Sequence, residues 1–224
     1  FDMDGVLVIS NPAHFKAWQD FSRESGIVIT EEMFRREFSG RKNEEALEAL
    51  FPGRFSEHER AELSRRKEAL YRERYVPVLQ PVPGVQDLVR DLARHRVALA
   101  LATSGPPENV GAILHHLGLV GAFDAVVTGQ DVTEAKPNPA IFLKAAQALG
   151  VSPARAVVVE DSLPGVRAAV AAGAVCLGVA TSEPPERLKE AGAARVVDDF
   201  RGMEAQDLLR MIAGSTGGAG RREA

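Results

Sequence analysis

Two aspartates, Asp2 and Asp4, stand one residue apart where a short apolar stretch runs into Gly5. Alternate residues of an extended chain share a face, so both carboxylates would point into one pocket. Carboxylates that close repel unless a cation lies between them or one keeps its proton. Taken alone, the pair reads first as a solvated turn, because Asp before Gly is common turn chemistry. Three further clusters carry groups suited to catalysis: Thr103-Ser104-Gly105, Lys136 before Pro137-Asn138-Pro139, and Glu160-Asp161-Ser162. Each has a structural alternative, a helix N-cap for the hydroxyl and acid clusters and a solvated charge for Lys136.

The elements around these clusters give them a common location. From Gly84 onward, helix-like stretches (85–95, 108–117, 139–149, 165–172, 186–191) alternate with apolar runs (97–102, 123–127, 156–159, 175–179, 195–197). Strands apolar throughout, alternating with helices, indicate a parallel sheet covered on both faces. The expected fold is therefore α/β, a Rossmann-like parallel sheet flanked by helices, with a first short strand at the chain start. Each of the four clusters follows an apolar run, and in open parallel sheets ligands bind beyond the carboxyl ends of the strands. Asp2, Asp4, Thr103, Lys136, Glu160 and Asp161 are thus expected on one edge.

Between the first two strands the texture changes. Residues 11–80 are charged and helix-like: Phe15, Trp18 and Phe21 recur at near-helical spacing, and 31–38, 43–50 and 56–75 read as further helices. Ser56 and Glu59 are placed to form a capping box. The organisation expected is a core of residues 1–10 and 81–213, an α-helical insert at 11–80, and a Gly-rich disordered tail at 214–224.

Composition excludes several classes. The 224 residues carry 27 Lys+Arg against 31 Asp+Glu, a net charge of −4, which leaves no electrostatic footprint for nucleic acid or an anionic membrane. No apolar stretch reaches membrane-spanning length. The single cysteine, Cys176, lies in an apolar run and reads as a core residue, and zinc-type Cys clusters are absent. A cytoplasmic location is the expectation, with the reservation that a chain starting at Phe1, within a strand, has room for residues upstream.

Phe1-Asp2-Met3-Asp4-Gly5-Val6, Ala102-Thr103-Ser104-Gly105, Lys136-Pro137-Asn138-Pro139 and Val159-Glu160-Asp161-Ser162 resemble, in order, the four motifs of the haloacid dehalogenase superfamily. The resemblance runs from Phe1 to about Asp199. The helical insert is similar to the small cap domain of the branch containing β-phosphoglucomutase and phosphoglycolate phosphatase. That resemblance implies Asp2 as nucleophile, forming an aspartyl-phosphate, and Asp4 as the acid and then the base. It implies Mg2+ on an Asp2 oxygen, the Asp4 carbonyl and Asp161, with Glu160 in the first or second shell. Thr103, the Ser104 and Gly105 amides and Lys136 would hold the phosphoryl oxygens. The dehalogenases lack an acid two residues after the nucleophile, so Asp4 favours a phosphate substrate.

Specificity would come from the cap. Residues 39–43, Ser-Gly-Arg-Lys-Asn, resemble the substrate-specificity loop, which makes Gly40, Arg41 and Asn43 candidate substrate contacts. Asn43 falls where β-phosphoglucomutase has an arginine for a second phosphate. His14 and Trp18 match positions of the mutase-like branch, although packing accounts for Trp18 equally well. Relatives often carry an acid where this chain has Ile9, which bears on the hinge. The expectation is a Mg2+-dependent phosphatase for a small phosphorylated metabolite such as a sugar phosphate, with a monomer plausible. A phosphosugar mutase is the nearest alternative. A receiver-like phospho-accepting module would lack both the long insert and Asp4.

Overall fold

A computed structural model describes residues 1–38 and 42–216. Four helices come first: α1 (Asn11–Ser25), α2 (Glu31–Glu37), α3 (Asn43–Leu50) and α4 (Glu57–Arg74). The remainder alternates: α5 (Val85–Arg94), β1 (Ala100–Ala102), α6 (Pro107–Leu117), β2 (Ala125–Val127), α7 (Ala140–Ala148), β3 (Val157–Glu160), α8 (Leu163–Ala171), β4 (Val175–Val179), α9 (Pro185–Glu190), β5 (Arg195–Val197) and α10 (Ala205–Thr216). The capping box at Ser56 and Glu59 is formed, and Ser162 caps α8 through the Gly165 amide.

All strand pairings are parallel: β1 with β2, and β3–β4–β5 in that order. The expected first strand is reduced to a stub. The Ala102 amide donates to the Phe1 carbonyl at 2.8 Å and the Asp2 amide to the Val159 carbonyl at 3.0 Å, so Phe1–Asp2 bridges β1 and β3. Beyond Asp2 the chain turns instead of extending. The amides of Val6 and Leu7 donate back to the Met3 carbonyl, and Gly5 adopts a left-handed φ of +74°.

Alternation along the strands divides the core. Leu101, Val159 and Leu177 face one apolar cluster, while Ala100, Val158 and Cys176 face the other, closed by Phe142, Val166 and Leu188. This is the two-sided burial that continuous apolar runs predict. Trp18, Phe21, Phe34, Phe38 and Leu47 form a third cluster within the helical insert. Ala17 and Tyr71, on the other side of α1 and α4, join the main core, so insert and core share an apolar contact.

Two expectations need correction. The apolar runs 97–102 and 123–127 form strands only over their last three residues. The tail expected to be disordered from 214 continues as helix α10 through Thr216, and residues 217–224 lie outside the described part. The chain crosses between insert and core twice, and the two crossings lie side by side. The Ile9 amide donates to the Gln80 carbonyl at 2.9 Å and the Val82 amide to the Leu7 carbonyl at 3.0 Å.

Candidate active site

A cleft of about 380 Å³ opens where the sheet's carboxyl edge meets the helical insert. Met3 is buried in the core, so Asp2 and Asp4, on either side of it, are turned into the cleft. Thr103 follows β1, Lys136 lies in the loop after β2, and Asp161 follows β3. All four motif clusters meet here.

Lys136 is buried and holds two carboxylates: its Nζ lies 2.9 Å from Asp2 Oδ1 and 2.5 Å from Glu160 Oε1. The Glu160 carboxylate is otherwise occupied. Its Oε2 accepts from the amides of Asp161 and Ser162, each at 2.9 Å, and from the Ser162 hydroxyl at 3.0 Å. Gly165 makes this possible, since a Cβ there would stand 1.8 Å from Glu160 Oε1. The Asp161 carboxylate accepts from the Ser182 hydroxyl, which in turn accepts from Asn11 Nδ2 at 2.6 Å.

One lysine does not neutralise this group. Burial pushes Asp2 up to about 7, with the charges of Glu160 and Asp4 adding to the rise and Lys136 opposing it. Asp161 is pushed well above the ordinary carboxylate range by burial and by the charges of Glu160 and Asp2. Lys136 is driven upward: burial disfavours its charge, but the two carboxylates outweigh it. Oxygens of Asp2, Glu160 and Asp161 lie within 4.8 Å of one another. An all-carboxylate set with uncompensated crowding suits a hard divalent cation such as Mg2+. Gly5 fits that purpose, because a Cβ at this position would stand 1.8 Å from Asp161 Oδ2.

Across the cleft, the insert contributes a connected polar wall. His14 Nε2 lies 3.2 Å from Asp4 Oδ1, and His14 Nδ1 lies 2.7 Å from Lys67 Nζ. The His14 ring stacks on Tyr71 with centroids 3.8 Å apart. Burial acts to raise the pKa of Asp4, but the charge and hydrogen bond of His14 hold it below its ordinary value. Lys67 also donates to Glu68 Oε1 at 2.8 Å, as does Asn43 Nδ2 at 2.6 Å, while Asn109 Nδ2 reaches Glu68 Oε2 at 2.6 Å. Arg72 Nη1 donates to Asn109 Oδ1 at 2.9 Å. Asn109 on α6 is therefore gripped by two residues of α4.

Of the residues expected from sequence, Asp2, Asp4, Thr103, Ser104, Gly105, Lys136, Asp161, His14 and Asn43 line the cleft. Glu160 sits behind it. The Gly105 amide is turned onto Thr103 Oγ1 at 3.0 Å, so of the two expected amide donors it already has a partner. Trp18 is corrected: it is fully buried among Phe21 and Phe38 and does not line the cleft. It approaches the site only through its ring face, 5.6 Å from Lys67 Nζ. Gly40 and Arg41 lie outside the described residues. Sequence reasoning missed Lys67, Glu68, Asn109, Asn11 and Ser182. The first two are a charged pair in a helix charged all round, and Ser182 reads as part of a turn before Pro184-Pro185.

The parallel sheet, the acid cluster at its carboxyl edge and the lysine between the acids define an α/β fold with a helical insert after its first segment. The chain belongs to the haloacid dehalogenase-like hydrolases, whose family model matches residues 1–173. It is 34% identical over 191 residues to validoxylamine A 7'-phosphate phosphatase of Streptomyces hygroscopicus subsp. limoneus, covering 85% of this chain and 89% of that one. It is 33% identical over 192 residues to β-phosphoglucomutase of Bacillus subtilis, covering 82% and 83%. Among solved structures, CbbY from Rhodobacter sphaeroides in complex with xylulose-(1,5)bisphosphate superposes with a TM-score of 0.82 at 28% identity, over 90% of this chain and 93% of that one.

Proposed function

We propose that this enzyme is a Mg2+-dependent phosphatase that hydrolyses a small phosphorylated metabolite, a sugar phosphate or similar ester, through Asp2. The observation that carries the reading is Asp2 and Asp4 facing one cleft, with Lys136 2.9 Å from Asp2 and His14 3.2 Å from Asp4. Phosphatase relatives spanning most of the chain support it.

In the first step Asp2 attacks phosphorus, the bond to the leaving oxygen breaks, and Asp4 gives that oxygen its proton. The products are an alcohol and an aspartyl-phosphate. In the second step water attacks the phosphorus, Asp4 takes a proton from it, and Asp2 is released with inorganic phosphate. His14 favours the ionised form of Asp4, the form that accepts the proton from water. Lys136 keeps Asp2 oriented and offers positive charge to the phosphoryl oxygens. The Thr103 hydroxyl and the Ser104 amide, ahead of α6, are placed to donate to those oxygens.

Mg2+ would be held by Asp2, Asp161 and the Asp4 carbonyl, and when bound it supplies the charge that lets a carboxylate approach an anionic phosphate. Glu160, whose Oε2 already accepts three hydrogen bonds, acts by fixing Lys136 and the 160–162 turn. Residues 11–80 act as a cap that covers the substrate and excludes water. The setting proposed is cytoplasmic; no helix among the described residues is long and apolar enough to cross a membrane.

A mutase is the second reading, favoured by the similarity to β-phosphoglucomutase. One incubation separates the two. With β-glucose 1-phosphate, Mg2+ and a trace of glucose 1,6-bisphosphate, a phosphatase yields free phosphate. Accumulation of glucose 6-phosphate without phosphate would overturn the phosphatase reading.

A further inference from the structure

The first helix of the insert reaches the core at two points. Asn11 and His14 stand three positions apart on α1, so they share a face, and both line the cleft. His14 extends to Asp4. Asn11 takes another direction, to the loop that follows β4. Its Nδ2 donates to Ser182 Oγ at 2.6 Å, and the Ser182 hydroxyl donates to Asp161 Oδ2. The N-cap of α1 is Ser10, whose side chain makes no capping bond. A carboxamide in the first turn ordinarily serves its own helix's amides, and this one crosses to the core instead.

Chemistry fixes the order of donors in this relay. An ionised carboxylate only accepts, so Ser182 must give its single proton to Asp161. The group that faces Ser182 from α1 must then be a donor, as the Asn11 amide nitrogen is. The loop carrying Ser182 is anchored on its other side. The Ala180 amide donates to the Val197 carbonyl at 2.8 Å, and Thr181 Oγ1 donates to the Gly5 carbonyl at 2.5 Å. Asp161 Oδ2 is confined between Ser182 and Gly5, where a Cβ would stand 1.8 Å from it. A carboxylate pinned at one oxygen is pre-oriented for a cation, and partners that orient a metal ligand change metal affinity by about 10- to 100-fold.

Resting on the Mg2+ site proposed above, we infer that Asn11 is a positioning residue through which the seating of α1 sets the affinity of Asp161 for Mg2+. With α1 seated, Asn11 polarises the Ser182 hydroxyl and holds it on the carboxylate. With α1 displaced, Ser182 loses the donor that fixes its rotamer, and Asp161 loses part of its orientation. Linkage makes the effect reciprocal: bound Mg2+ favours the seated helix by the same factor. The insert thus does more than cover the substrate. It tightens the metal site as it seats.

A double-mutant cycle on the full chain tests this, by calorimetric titration of the metal-free protein with Mg2+ and thermal melts to verify folding. Asn11→Ala is expected to weaken Mg2+ binding by about threefold, less than Ser182→Ala, because Asn11 stands one hydrogen bond further from the carboxylate. Adding Asn11→Ala to Ser182→Ala is expected to change nothing further. Unchanged affinity in folded Asn11→Ala overturns the inference. Additive losses in the double variant do so as well, since Asn11 would then act by another route. Hydrogen exchange reads the reciprocal effect with Asn11 intact. Saturating Mg2+ is expected to slow exchange of the α1 amides in wild type and not in Ser182→Ala. No slowing in wild type, or equal slowing in both, overturns the inference. Failure of wild type to bind Mg2+ would overturn the metal site itself, a result distinct from normal binding that Asn11→Ala leaves unchanged.

Discussion

His14 Nε2 lies 3.2 Å from Asp4 Oδ1, and this contact ties α1 of the helical insert to the residue proposed above as acid and base, in the loop that follows Asp2. It holds the Asp4 pKa down against the burial that would raise it. In His14→Gln that hold is lost, and Asp4 titrates at higher pH. The acidic limb of the kcat–pH profile is therefore expected to move upward, because the second step needs Asp4 as carboxylate. A profile with an unmoved acidic limb would show that Asp4 is not the base.

Asp2→Asn removes the nucleophile, and turnover of a phosphate ester is expected to fall by on the order of 10⁴-fold or more. The same substitution is expected to stabilise the metal-free protein at pH 8. Asp2 is raised from 3.8 to about 7 in the fold, so folding favours its protonated form. Stability from that proton is full below the unfolded value and is lost as pH rises through about 7. A neutral amide avoids the loss, and thermal melts in EDTA at pH 8 against pH 5 measure it.

Mg2+ must compete with those protons. The rise in melting temperature on adding Mg2+ is expected to be larger at pH 8 than at pH 6, with protons released to buffer near neutrality. Ser182→Ala leaves Asp161 without its hydroxyl donor and is expected to weaken Mg2+ binding by about tenfold, the range typical of residues that orient metal ligands. Calorimetric titration of the apo protein with Mg2+ reads both effects without reference to activity.

Glu68 should govern acid stability. Its pKa falls from 4.5 to about 2 on folding, so its contribution is present above the unfolded value and is lost as pH drops through about 2. The size is on the order of 3 kcal/mol for a fully formed network. Urea melts between pH 5 and pH 2 should show a steep decline in wild type that is flattened in Glu68→Gln. Equal slopes would mean the Lys67–Glu68–Asn109 network does not stabilise the fold.

That these polar groups share one edge was legible because parallel strands are apolar on both faces, so the polar residues that follow each run stand out. Thr103 and Asp161 come straight after such runs, Lys136 lies in the longer loop after another, and the ordered spacing of these groups with Asp2 did the rest. The cap wall was not legible. Helix α4 carries charge around its whole circumference, and nothing in Arg65-Arg66-Lys67-Glu68 marks which charges are buried. Only tertiary contact with His14, Asn43 and Asn109 selects Lys67 and Glu68. Trp18 shows the opposite error: its motif position suggested a ligand contact, whereas apolar packing against Phe21 and Phe38 claimed it. The opening segment was expected as a short strand because of the strand–helix alternation that follows it. It turns after Asp2 because Gly5 permits a left-handed turn, which also clears space for Asp161.

The paired crossings at Ile9–Gln80 and Leu7–Val82 have an evolutionary consequence. Since the chain leaves and re-enters the core at adjoining points, the segment between them is a cassette. Its replacement by a homologous segment of different length would leave the ends where they are, as tolerated domain insertions require. Substrate range could then diversify by exchange of the cassette while the carboxylates beneath it stayed unchanged. Chimeras joined at Ser10 and Gln80 are the natural way to transplant one relative's preference onto another's chemistry.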